Sequence, residues 1–130
     1  MTERVLLDAN VLIALSFADH EHHGRVVAWF GTSRPFATTP SVQGSLVRFA
    51  IRVATIVHAN DLLDELAANA LHQMWPDDQA YDRALLRGVI GHRQVTDAYL
   101  AEIAACHQTT LATMDTALKI LRPSNVELIA

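Results

Sequence analysis

Three aspartates sit where a charge needs a reason. Asp8 interrupts the apolar stretch Val5-Leu6-Leu7-Asp8-Ala9-Asn10-Val11-Leu12, directly after what reads as a short buried strand. Asp115 follows a second strand-like run, residues 109–113, and Asp97 opens the helical pattern that leads into that run. Each has an ordinary reading. An acid after a strand is turn chemistry, and an acid in a first helical turn answers the positive end of the helix dipole. In an open parallel sheet, however, ligands gather at the carboxyl ends of strands where the strand order reverses. If the two strands are neighbours, the three carboxylates converge on one sheet edge. Carboxylates so crowded repel one another unless a cation compensates them, so the chemistry on offer is the holding of something positive.

The elements that must position these acids follow from the apolar spacing. Residues 4–7 read as a strand, with a short helix from Asn10 through Val11, Leu12 and Leu15. A helix is expected over 19–32 and a brief connection or strand over 34–37. Thr39-Pro40 has the form of a helix start, threonine as cap and proline in the first turn. Val42, Leu46, Phe49, Ala50 and Val53 then recur at helical spacing. Another helix is expected after Asn60, with Asp61, Asp64 and Glu65 near its start, then a strand over 72–75 and a helix near 79–87. The pattern from Thr96 marks a further helix, 109–113 a strand, 115–121 a short helix and 126–129 a final strand. Strands alternating with helices predict an α/β fold around a mostly parallel sheet.

The chain has 130 residues, 51% of them hydrophobic, which suits one globular domain over 1–130 and excludes a disordered chain. No apolar run approaches the roughly 18 residues that span a bilayer, and the opening residues make a poor signal peptide, so no membrane is expected. A single cysteine, Cys106, excludes an internal disulfide framework and fits a reducing cytoplasm. The net charge of -4 does not advertise nucleic-acid binding by the molecule as a whole. Nine of the ten basic residues are nonetheless arginine, the better fork for phosphate, although genomic base composition produces the same bias.

The stretches LLDANVLIAL, TDAYLAEIA and TLATMDTAL, in that order and spacing, resemble the PIN-domain nucleases and in particular the VapC-type toxins of type II toxin–antitoxin pairs. GHRQVTDAYLAEIA and WPDD match the style of that subgroup, so the resemblance spans nearly the whole chain. It implies a three-layer α/β/α domain with a central, mostly parallel sheet, a metal-dependent endoribonuclease, an RNA substrate, a VapB-type antitoxin partner and a homodimer. Asp8, Asp97 and Asp115 match the family's acidic metal positions, with Asn10 and Thr113 as polar neighbours. The implied cofactor is Mg²⁺ or Mn²⁺, which prefer hard oxygen ligands and retain several waters. One position departs from the pattern. In TTPSVQGSLVRF, Gln43 stands where the family usually supplies a fourth acid, so the resemblance leaves open a weakened or binding-only module that engages antitoxin or RNA without cutting.

Other features have plainer readings. His20, Glu21, His22 and His23 suggest zinc, but they share a helical face poorly and no further ligand is near, which favours a solvated helix start. Asp77, Asp78 and Asp82 read as a charged loop. Cys106 beside His107 reads as core rather than as a nucleophile, and Trp29, Phe30 and Trp75 as packing. RNA phosphates need positive partners; Arg48, Arg52, Arg83, Arg87 and Arg93 are candidates by number and placement. A dehalogenase-type phosphatase needs a second aspartate two residues after the first, where this chain has Asn10. A receiver domain fails similarly, for want of an early acid pair.

Overall fold

A computed structural model describes residues 3–130. Along them run β1 (Val5–Leu7), α1 (Ala9–Ser16), α2 (His23–Phe30), β2 (Phe36–Thr38), α3 (Pro40–Val53), α4 (Ile56–Ala68), β3 (His72–Met74), α5 (Val95–Cys106), β4 (Leu111–Thr113), α6 (Thr116–Leu121) and β5 (Val126–Leu128). The five strands form one sheet in the order β3-β2-β1-β4-β5, and every pair is parallel. Strands β1, β2 and β4 are buried at every residue. Their continuous apolar character is what a parallel sheet covered on both faces requires. Chain order runs outward from β1 through β2 to β3 on one side, then returns through β4 to β5 on the other. The reversal falls between β1 and β4, which pair with Leu6 opposite Leu111 and Leu7 opposite Ala112.

Local chemistry sets most element starts. Asp8 caps α1, its side chain accepting from the Asn10 backbone N–H. Thr39 caps α3 with Pro40 in the first turn, as its sequence indicates. Asp115 caps α6 by accepting from the N–H groups of Ala117 and Leu118. Helix α5 is buried through Ala98, Tyr99, Leu100, Ala101, Ile103 and Ala104 and rests on β1 and β4. Helix α1 packs on both α2 and α3, and α3 packs on α4.

Several expectations are corrected. Helix α2 begins at His23 rather than at 19, because residues 17–22 form a tight turn. There His20 N–H donates to Phe17 O and His23 N–H to His20 O, both at 3.0 Å. Helix α4 begins at Ile56, where Thr55 accepts from His58 N–H at 3.1 Å, so Asp61, Asp64 and Glu65 lie within the helix and are exposed rather than at its start. No helix forms over 79–87. Asp82 Oδ1 accepts from Leu85 N–H at 2.8 Å and begins a turn, but the Leu85 carbonyl accepts from Arg122 Nη2 at 2.8 Å and Gly88 follows with φ +80°. A carbonyl drawn to a distant guanidinium and a left-handed residue end the turn. Cys106 is exposed, at the end of α5 rather than in the core. Trp75 is buried and stacks on His107 with ring centroids 3.8 Å apart, and Trp29 donates to Glu127 at 2.6 Å. Both serve packing, as expected.

Gly88 generates the first prediction. A Cβ there would stand 2.8 Å from Leu121 Cδ1, on a backbone that L side chains rarely adopt. Gly88→Ala should cost about 1–2 kcal/mol, read as a lower urea midpoint with an unchanged slope; an unchanged midpoint would show that the 82–88 turn relaxes freely.

Candidate active site

The β1–β4 pairing sets Asp8 and Thr113 side by side at the carboxyl ends of their strands. The Thr113 hydroxyl donates to Asp8 Oδ2 at 2.8 Å and accepts from the Asp115 backbone N–H at 3.2 Å. Asp8 Oδ1 accepts from Asn10 N–H at 2.9 Å. One carboxylate is thus oriented through both oxygens, and the residue that orients it also steadies the backbone of the next acid. Asp115 spends one oxygen, Oδ1, on Ala117 and Leu118 N–H at 2.9 and 3.3 Å. Asp97 lies in the first turn of α5, whose dipole favours the anion. Asp8, Asn10, Asp97, Thr113, Met114 and Asp115 line one cavity of about 370 Å³, together with His20, Glu21 and His22.

The charges there are mutually expensive. Asp8 is only 5% exposed. Burial raises its pKa above the usual carboxylate range, outweighing the hydrogen bonds from Thr113 and Asn10, and Asp115 raises it further. Burial, and then the neighbouring Asp8 and Asp115, lift Asp97 from an ordinary 3.8 to about 7. No arginine or lysine lines the cavity, so the excess negative charge has no counterpart among the lining side chains. Among the described residues no three His, Cys, Asp or Glu groups close into a ready-made cage for an ion. That looseness suits Mg²⁺ or Mn²⁺, which are held by a few carboxylates while keeping waters and substrate phosphate in their shell. An all-oxygen donor set, one member pre-oriented and none neutralised by a cationic side chain, fits such an ion.

Five of the residues singled out by sequence (Asp8, Asn10, Asp97, Thr113 and Asp115) come together in this way. Gln43 does not join them. Its position on α3 turns it toward another groove, beside Leu63, Leu66, Ala67, His72 and Met74, where its Nε2 donates to Thr38 Oγ1 at 3.0 Å. Elsewhere on α3, Ser45, Arg48, Phe49 and Arg52 line a second cavity with Ala9, Asn10 and Ile13. Asn10 borders both cavities, and Arg48 and Arg52 line the second one. The Arg52 guanidinium lies 5.3 Å from the centroid of the Phe49 ring. Arg83, Arg87 and Arg93 are exposed on the segment before α5 and line neither cavity. Asp77 braces α3, accepting from Ser41 N–H at 2.8 Å and its hydroxyl at 3.0 Å.

Sequence reasoning missed His20, Glu21 and His22. They lie in the 17–22 turn that leads into α2, with His22 as the N-cap of that helix and Glu21 exposed, and they also line the cavity wall. The available signal was the shortness of α1: a helix leaving the acid edge after Asp8 is followed at once by a return.

The PIN domain family profile matches residues 5–122. Ribonuclease VapC29 of Mycobacterium tuberculosis is 47% identical over 116 residues, covering 88% of this chain and 87% of its own. Ribonuclease VapC39 of the same species is 38% identical over 127 residues, covering 87% and 89%. The crystal structure of the M. tuberculosis toxin VapC20, titled as cleaving the sarcin–ricin loop, superposes with a TM-score of 0.70 at 14% identity, covering 90% of this chain and 94% of that one. That likeness supports the α/β/α fold.

The raised pKa of Asp97 has a sign that can be checked on metal-free protein. A carboxyl whose folded pKa is lifted to about 7 favours the folded state while protonated. This stabilisation is complete below about 4 and lost as pH rises through about 7. Asp97→Asn stays neutral throughout. Above pH 7 it should be more stable than the parent by roughly 1–2 kcal/mol, allowing for solvent screening, with the advantage vanishing near pH 4. Thermal melts across that range decide, and equal melting temperatures at pH 8 would refute the electrostatic account.

Proposed function

The chain belongs to the PIN-domain family, and from that premise we propose that it is a VapC-type toxin, an endoribonuclease that hydrolyses RNA phosphodiester bonds at the acidic cavity. The observation that carries this is the convergence of Asp8, Asp97 and Asp115, with no cationic side chain among them, at the sheet's topological switch point. We assign Asp8, Asp97 and Asp115 as the residues that hold a divalent ion, Mg²⁺ or Mn²⁺, with Asn10 and Thr113 as neighbours that orient them. When bound, such an ion would supply the positive charge that lets all three acids ionise together and the Lewis acidity needed to activate water against phosphorus.

The chain's own groups do the rest. Thr113 and the Asn10 N–H fix the Asp8 carboxylate before anything binds, which removes reorganisation from the chemical step. The N-terminal end of α5 favours the anionic form of Asp97 once a cation offsets its neighbours. Arg48 and Arg52 line a groove that shares Asn10 with the acidic cavity; we assign them to flanking phosphates, with Phe49 as a face for a base. A local pair of arginines reconciles RNA binding with an overall charge of -4. Arg83, Arg87 and Arg93 have no such placement.

Gln43 bears on whether this chain cuts. Its amide is engaged with Thr38, outside the residues that line the acidic cavity, so an amide in place of an acid there removes no ligand from the set. We therefore favour an active nuclease over a binding-only module. A VapB-type antitoxin is the partner in the proposed scheme, in the cytoplasm, with a homodimer as the assembly. A surface suited to partners exists where α3 hands over to α4: Val53, Ile56 and Val57 are 53%, 54% and 65% exposed. No helix among the described residues is long and apolar enough to cross a membrane.

Purified free of antitoxin, the chain should cleave single-stranded RNA in Mg²⁺ or Mn²⁺ and stop on chelation. Asp8→Ala should reduce the rate by about 10²-fold or more. Gln43→Glu should stay within a few-fold of the parent. A silent parent with an active Gln43→Glu would restore the impaired reading; silence from both on all RNAs would remove the nuclease proposal.

A further inference from the structure

A phosphodiester entering the acidic cavity brings another negative charge to three carboxylates. A cation offsets part of this, but the non-bridging oxygens also need hydrogen-bond donors. Few exist. No arginine or lysine lines the cavity, carboxylates cannot donate, and the Thr113 hydroxyl is spent on Asp8. The Asn10 amide and the imidazoles of His20 and His22 remain. His22 Nε2 lies 3.4 Å from Glu21 Oε1. His20 Nε2 has no hydrogen-bond partner among the described residues.

The 17–22 turn fixes that ring where it borders both the acidic cavity and a second cavity lined by Phe17, Asp19, Phe49 and His58. His22 N–H donates to His20 Nδ1 at 3.1 Å, and a ring whose Nδ1 accepts carries its proton on Nε2. The His20 ring centroid lies 5.7 Å from that of His22 and 6.4 Å from that of Phe49. The turn is braced on both sides. His23 Nδ1 lies 2.8 Å from Ala14 O, and buried Phe17 meets Phe49 edge-on at 5.0 Å between centroids. A donor positioned before the strand arrives costs little ordering on binding.

We propose that His20 is a phosphate-binding residue of this site, donating through Nε2–H to a non-bridging oxygen of the RNA phosphate in the acidic cavity. The proposal rests on the ribonuclease reading above. His20 acts as a neutral, directional donor, unlike the guanidinium groups of Arg48 and Arg52 in the adjoining groove. The two kinds of contact differ in salt dependence, because only the charged ones displace counterions from the strand.

The test titrates the antitoxin-free full chain onto a short mixed-sequence single-stranded RNA by fluorescence anisotropy in Ca²⁺, over a range of salt. A gel confirms that the strand stays whole. His20→Phe keeps a ring beside Phe49 and His22 but removes the donor, whereas His20→Gln keeps an N–H at similar reach. The Phe variant should bind about 3- to 10-fold more weakly, with the parent's salt slope and melting temperature, and Gln should restore most of the loss. Arg52→Ala, by contrast, should flatten the slope of log affinity on log salt by about 0.7. Parent-like affinity of His20→Phe overturns the proposal. So does a loss that follows a lower melting temperature and is not repaired by Gln, or one that flattens the slope. A parent chain that neither binds nor cuts RNA in any divalent ion overturns the ribonuclease reading itself.

Discussion

The parallel pairing of β1 with β4 is the constraint on which the site depends. Two three-residue strands distant in sequence are locked with Leu7 opposite Ala112, and their next residues emerge together at the carboxyl edge. The Thr113 hydroxyl converts that register into chemistry by donating to Asp8 while accepting from the Asp115 N–H. Slipping a strand by one residue would turn its side chains to the other face, so register and site stand or fall together. Helix α5 completes the geometry because it rests on both strands and delivers Asp97 from its first turn. None of the three acids is placed by a flexible loop.

That arrangement is costly to the metal-free protein. Burial already disfavours the Asp8 anion and Asp115 adds repulsion, which two hydrogen bonds to Asp8 do not cancel. The surrounding core tolerates the cost: the strands beneath are buried throughout, and Leu6, Leu7, Leu111 and Ala112 are fully enclosed. A site that destabilises its own scaffold is in the state that a cation relieves. In the proposed scheme, affinity for an ion and instability of the empty site would have the same source.

Much of this was legible in the sequence because its signals are local. Thr39-Pro40 is a helix start by its own chemistry, and Asp8 and Asp115 could be assigned to strand ends from the apolar runs before them. Convergence of the three acids required only that β1 and β4 be neighbours. What was not legible depends on partners far along the chain. Over 79–87 the chain makes a turn that ends at Gly88 with φ +80° and is held by Arg122, whose guanidinium takes the Leu85 carbonyl; no window around Leu85 contains that partner. Gln43 was assigned by its place in a motif, yet the rotation of α3 turns it to Thr38, and rotation is set by which face packs on α1 and α4. His20 and His22 were weighed only as zinc ligands, and their place on the cavity wall depends on a tight turn that no local spacing announces.

The charges are sorted in space in a way that composition conceals. Acids occupy the cavity at the sheet edge, imidazole donors stand on the 17–22 turn beside it, and guanidinium groups line the groove between α1 and α3. For an anionic strand this order matters more than the net charge. Arginines beside the acids would neutralise them and leave no demand for a cation. Arginines in the adjoining groove attract phosphates without quenching the carboxylates. A neutral donor at the boundary can meet a phosphate without pairing with an acid as a cation would. For the proposed nuclease, the absence of lysine and arginine from the cavity is therefore part of the design, and the overall negative charge of the chain is no obstacle to it.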